Sequence, residues 1–449
     1  MQALLEDLSS FDPSTRRLAL DRLVAAGRPT PPATDWVNMH LHSFFSFNGE
    51  GWSPSRLAWE AAARGLYSMA ICDFDVLQGL GELLEASDLL GVRAAVGFES
   101  RVFFEEYADQ EINSPGEPGV FYFMGMGFVR PPAPGSPAAA VLADMLERSH
   151  ARNRAIVQRI NQCLGDVALD YDAEVLPLTP LGNATERHIV QAYQDKVLLA
   201  SQGHLDQAAA FWAARLGLDP AATQTAIQDP LRFADVLRSK LMKKGGPGYR
   251  QPDADTFPRL DQVIGMIRAC RAVPMSAWLD GTSAGESDPV RQLECLVSKG
   301  VEAVNIIPDR NWNLKDPAER SRKVAELDRY IAAARALDLP INVGTELNKP
   351  GQRFVDDFTA APMRAHHAVF LEGARVMVGH TRLLRWADTG YSDAAVAGEF
   401  PSRAERNAFF AAVGALPAPT VAERRRLEAM TTDGARAYLA DSAAAGVWR

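Results

Sequence analysis

The chain has 449 residues, 47% of them hydrophobic, and a formal charge of −9 with a pI near 5.5. That apolar share suits a globular protein with a sizeable core, and the length allows one large barrel with additions or roughly two to three ordinary domains. No basic block stands against the acidic background, which argues against a nucleic-acid surface.

The opening stretch MQALLEDLSS lacks the basic and then apolar segments of a signal peptide. No run of about 18 apolar residues is present to span a bilayer. Cys72, Cys163, Cys270 and Cys295 are too scattered for a CxxC or zinc-knuckle motif. A cytoplasmic protein with a small-molecule substrate and no membrane partner is the expectation. Nothing in the sequence marks an oligomeric state.

In chain order, residues 1–35 read as a helical segment, DPSTRRLALDRLVAAG, started by Asp12-Pro13-Ser14 and stopped by Gly27 before the linker RPTPPATD. Residues 36–136 alternate short apolar runs with amphipathic helices, the strand candidates being VNMHLH, YSMAICDF, RAAVGFES and VFYFMGMGF. Residues 137–250 are Ala- and Leu-rich and almost wholly helical in pattern, as an insertion between two strands would be. Alternation resumes over 251–387 with AVPMSAWL, EAVNIIPD and LPINVGTEL, and VMVGHTRLLRWAD is a candidate eighth strand that would bring His380 to its end. Residues 388–449 are helical again and form an extension. Alternating strand and helix over this length predicts an α/β barrel with parallel strands.

The unusual polar residues sit at the ends of these strands. His40 and His42 are two apart, so in a strand both imidazoles face one point. Asp73 and Asp75 repeat that spacing at the end of the second strand, and Glu99 ends the third. Asp309, Arg310 and Asn311 follow the sixth, and Glu346 and Asn348 follow the seventh. In a parallel barrel the C-terminal strand ends converge on one rim, where such enzymes keep their active sites. Histidines with carboxylates on one rim suit zinc, manganese or iron.

The stretch HLHSFFSFNGEGWSPSRLAWEAAARGLYSMAICDFD, followed by LLGVRAAVGFES, resembles the opening of the PHP (polymerase and histidinol phosphatase) superfamily. Its pattern there is His-x-His-Ser, then Thr-Asp-His-Asp, then Gly-x-Glu. LDLPINVGTELNKPG resembles that family's Gly-Ser-Asp-x-His segment, AVPMSAWLDG its Ala-His-Pro strand, and TERHIVQAY with KKGGPGYRQPD the helical insertion of its phosphoesterase members. The resemblance spans roughly Asp35 to Asp357. It implies a distorted (β/α)7 TIM-like barrel with a helical insertion and extra terminal helices, up to three metal ions, and hydrolysis of phosphate esters.

The chain departs from that pattern. Phe74 stands where a ligand histidine is usual, Asn48 about where a loop aspartate is, Tyr122 or Phe123 where another histidine is, and Trp278 in place of the histidine of Ala-His-Pro. Glu346 and Asn348 replace Asp and His. One divalent ion is therefore expected rather than three, held by His40, His42, Glu99 and Glu346. Asp73 or Asp75 would serve as general base, with Arg310 or Lys243 steadying negative charge. Lys243 and Lys244 precede a Gly-Gly turn able to cradle an anion, and the resemblance makes His188 a substrate contact. Phe74 and Trp278 either stack against a ring-shaped substrate or fill the space the lost ligands left. The expected function is metal-dependent hydrolysis of a phosphate ester or related small molecule. The competing reading is a metal-free barrel that binds, isomerises or cleaves a sugar-like ligand.

Overall fold

The computed structural model describes residues 1–449. Seven strands form one sheet in sequence order: β1 (Val37–Leu41), β2 (Ser68–Phe74), β3 (Arg93–Phe103), β4 (Val120–Met126), β5 (Val273–Trp278), β6 (Ala303–Ile306) and β7 (Ile341–Val343). The sheet curls until β1 meets the segment after β7. There the Glu346 N–H donates to the His40 carbonyl (2.8 Å) and the His42 N–H donates to the Glu346 carbonyl (2.7 Å). Gly344 makes this closure possible, because a Cβ at that position would collide with His40 Cβ and N. The result is a distorted seven-stranded TIM-like barrel of mixed α/β type.

The seven strands of the predicted barrel are all present. One direction differs. β4 pairs antiparallel with both β3 and β5, while all other pairs are parallel. The 16 residues between β3 and β4 hold only a single 3-10 turn (Glu105–Tyr107), and a parallel return needs a long crossover, usually a helix. The reversal turns the start of β4, with Tyr122, toward the rim that the parallel strands reach with their C-terminal ends.

The predicted eighth strand is instead part of a helix, Ala361–Ala387. Val376, Val378, His380, Leu383 and Leu384 are all buried there, so the apolar run reflects a helix enclosed on most sides rather than a strand. His380 is structural: its Nδ1 accepts from the Tyr391 N–H (2.9 Å) and its Nε2 donates to the Gly127 carbonyl (3.1 Å).

Burial explains why the strands are apolar throughout. Met69 and Ile71 of β2 enter one large core, while Ala70 and Cys72 enter another on the opposite face. The insertion is helical from Pro137–Leu164 to Pro230–Met242 and has a core of its own, including Ile160, Tyr193, Trp212 and Phe233. It is tied to the barrel rim by Asn183, whose Nδ2 donates to the carbonyls of Phe45 (2.9 Å) and Phe74 (2.7 Å). The N-terminal helix Pro13–Ala26 is capped by Asp12, as read from the sequence, with Thr15 N–H donating to its carboxyl (2.9 Å). No helix is long and apolar enough to cross a membrane.

Candidate metal centre and cavity

Barrel closure fixes the two histidines of β1, and β3 brings Glu99 to them. Glu99 Oε2 lies 3.5 Å from His40 Nε2 and 3.4 Å from His42 Nε2. All three residues are buried, with their ligand atoms within 4.8 Å of one another. None of these three atoms has a hydrogen-bond partner, although buried polar atoms are ordinarily paired.

The remote ring nitrogens fix the tautomers. His40 Nδ1 sits 2.9 Å from Asn305 Oδ1, which can only accept, so the proton is on Nδ1 and Nε2 offers a lone pair. His42 Nδ1 sits 3.2 Å from Ser46 Oγ. That hydroxyl donates onward to Asp73 Oδ1 at 2.7 Å, so it accepts from His42 and leaves Nε2 bare as well. Two lone pairs and a carboxylate oxygen therefore converge on one buried point, each histidine oriented from behind as metal ligands usually are. Burial pushes the Glu99 carboxyl up, but the His40 and His42 rings, when protonated, outweigh it and hold it below the usual carboxylate range. The donor set fits a divalent cation.

Asp73 has a different task from the general base expected of it. Its oxygens accept from the Ser43 N–H (2.7 Å), the Ser43 hydroxyl (2.6 Å) and the Ser46 hydroxyl (2.7 Å). It is buried beneath the rim and does not line the cavity. It pins the loop after β1 and, through Ser46, orients His42. Glu346, expected as a fourth ligand, lies outside the cluster: both its oxygens accept from Arg310 Nη2, at 2.8 and 2.9 Å.

A cavity of about 880 Å³ opens above the cluster, between the barrel rim and the insertion. His40, Glu99, Phe74, Asp75, Arg310, Glu346, Asn348, Trp278 and Lys243 all line it. Asp75 has φ +60, a strained region for a residue with a side chain. It is held there by its N–H to the Glu99 carbonyl (2.9 Å) and by the Ser100 hydroxyl donating to Oδ1 (2.5 Å). Burial raises its pKa, only partly countered by Arg152 and Arg101. Of the two aspartates it is the one placed to move protons.

The aromatic replacements divide. Phe74 stacks on His42, ring centres 4.4 Å apart at 24°, and faces Tyr122 at 6.3 Å, so it covers that histidine and walls the cavity. Trp278 is 3% exposed and stacked on Tyr330 at 4.6 Å, within the barrel core; the ring mostly fills space. His188 has a structural task and lines not this cavity but a second cleft beyond Phe47. Its Nδ1 accepts from the Thr185 N–H (3.0 Å), completing a capping box on helix Glu186–Ala200, and burial holds its pKa down at about 4.

Sequence reading missed Arg101 and Arg152. Arg101 is two residues beyond Glu99 on the long β3, the same spacing as His40 and His42, so the signal was available. Its guanidinium lies 4.5 Å from the Phe257 ring centre and reaches Glu117 at 3.4 Å. Arg152, from helix Pro137–Leu164, hydrogen-bonds only Ser149 Oγ (3.2 Å). Burial, with Arg101 nearby, lowers its pKa to about 10, which still leaves it cationic at neutral pH. Lys243 and Arg238 share the single carboxylate of Glu186, at 2.9 and 2.8 Å, so the trio keeps one net positive charge. Spare positive charge thus lines the cavity at Arg152, close to Asp75, and at the Arg238–Lys243 pair.

No family model matches the chain. It is 32% identical over 72 residues to an error-prone DNA polymerase of Cutibacterium acnes (strain DSM 16379 / KPA171202), a match covering 16% of this chain and 6% of the polymerase. The chain thus spans a small fraction of that relative. Among solved structures it is similar to an amidohydrolase from Chromobacterium violaceum with bound sulfate and no metal. That match has a TM-score of 0.46 at 16% identity and covers 74% of this chain and 96% of the other. It is also similar to a candidate metal-dependent phosphoesterase from Bifidobacterium adolescentis (TM-score 0.43, 19% identity, 76% of this chain and 98% of the other).

Proposed function

We propose that the chain is a metal-dependent hydrolase acting on a phosphate ester, with one zinc, manganese or iron ion held by His40, His42 and Glu99. The observation that carries this reading is the convergence of three buried, unpartnered donor atoms below a cavity whose spare charge is positive. When bound, the ion supplies Lewis acidity toward the phosphoryl group.

The chain's own residues do the rest. Arg152 binds phosphate oxygens at the insertion side, with Arg101 behind it. Phe74 and Tyr122 wall the barrel side and limit water. Asp75, with its raised pKa, takes the proton of the attacking water and returns one to the departing alcohol as the P–O bond breaks. Arg310 holds Glu346 in place at the far rim.

The test is phosphate release from a panel of phosphate monoesters by metal-loaded protein. Turnover that falls at least about a hundredfold in Asp75→Asn supports the reading, and no turnover of any monoester sinks it. The competing reading, a metal-free barrel that binds a sugar-like ring, draws on Phe74 and Tyr122 facing the cavity. Tight sugar binding by chelator-treated protein without phosphate release would favour it.

A further inference from the structure

A second cavity, of about 480 Å³, adjoins the first and lies between the insertion and the loop after β1. Its lining is mostly apolar: helix Glu186–Ala200 contributes Val190 and Leu198, helix Pro230–Met242 contributes Leu231 and Phe233, and Trp212 lies across from them. Phe47, Arg187 and Arg238 line both cavities. The Arg187 guanidinium carbon sits 5.4 Å from the Phe47 ring centre. Both arginines are already paired, Arg187 with Asp235 at 3.1 Å and Arg238 with Glu186 at 2.8 Å. Between the cavities stands an aromatic ring flanked by two arginines that are each held by a carboxylate. Beyond it the lining offers no further cation to an anion, whereas an apolar group finds a cleft. Leu231 remains 55% exposed at its mouth, although the insertion has a complete core without it.

We infer that the substrate is amphipathic, with a phosphate among the cations of the first cavity and an aromatic or short alkyl group passing Phe47 into this cleft. The inference rests on the proposed function for its anionic end. The volume is ample for a two-ring group, and small-molecule sites commonly combine an apolar cleft with a few placed polar groups.

The test is calorimetric titration of the metal-loaded protein with two phosphonates that resist hydrolysis, methylphosphonate and 1-naphthylmethylphosphonate, with 2-naphthol as a control. The expected result is that the naphthyl compound binds at least about tenfold tighter than methylphosphonate. Leu231→Glu and Leu198→Glu should each bring the two within about threefold without weakening methylphosphonate. Equal affinities in the unmodified protein would overturn the inference and leave the phosphate reading standing. Absence of methylphosphonate binding, with the naphthyl compound no tighter than 2-naphthol, would overturn it through its anionic end and sink the phosphate reading too.

Discussion

Arg310 holds both carboxylate oxygens of Glu346 with a single guanidinium nitrogen, at 2.8 and 2.9 Å. The Glu346 backbone meanwhile closes the barrel against His40 and His42. A residue that sequence position offers as a metal ligand thus supports the ligands through its main chain and is engaged elsewhere through its side chain. Glu346→Gln should therefore keep one ion per chain with less than about a tenfold change in affinity, whereas loss of a true ligand costs far more. Metal titration of the variant checks this.

Asp73 receives three hydrogen bonds from Ser43 and Ser46. Asp73→Ala should destabilise the fold by about 2–4 kcal/mol, since the donors it leaves are buried. Metal affinity should fall by about 10–100-fold as Ser46 ceases to orient His42. A urea transition beside a metal titration separates the two effects. A variant that loses turnover but keeps both would restore Asp73 as the base.

Trp278 lies in the core against Tyr330. Trp278→Ala should cost about 3–5 kcal/mol of stability through the cavity it leaves and change phosphonate affinity less than about tenfold. Denaturation and calorimetry on the same preparation decide between packing and stacking.

Burial holds His188 neutral, with a pKa down at about 4 against 6.5 for the free side chain. Below pH 6.5 the unfolded chain takes up a proton that the folded chain refuses, so stability is lost as pH falls toward 4. The loss from this group reaches about 3 kcal/mol. His188→Gln keeps the capping box, for which glutamine is an ordinary partner, and removes the titration. The urea midpoint of the variant should fall less than that of the unmodified chain between pH 7 and pH 4.5. A residual fall is expected from His380, which burial also holds at about 4.

Much of this was legible in the sequence, for identifiable reasons. Seven strands announced themselves because each is buried on both faces and reads as a continuous apolar run. His40, His42 and Glu99 were found because two-residue periodicity and strand-end position together place side chains on one rim. The direction of β4 has no such signature in its own residues; it lies in the helix-free segment before it. Arg101 obeyed the same periodicity that exposed the histidines. Arg152 could not be read, since its role depends on which face of a long helix the insertion turns toward the barrel. Asp73 and Asp75 look alike in sequence and differ only in what surrounds them: serine donors in one case, a buried rim beside Arg152 in the other.

The most direct measurement is elemental analysis of the purified chain beside the His40→Ala, His42→Ala double variant, with circular dichroism to establish that both are folded. About one equivalent of zinc, manganese or iron in the unmodified chain, absent from the folded double variant, is the expected result. No ion in either after loading, or an ion retained by the double variant, would contradict the metal centre and the hydrolase built on it.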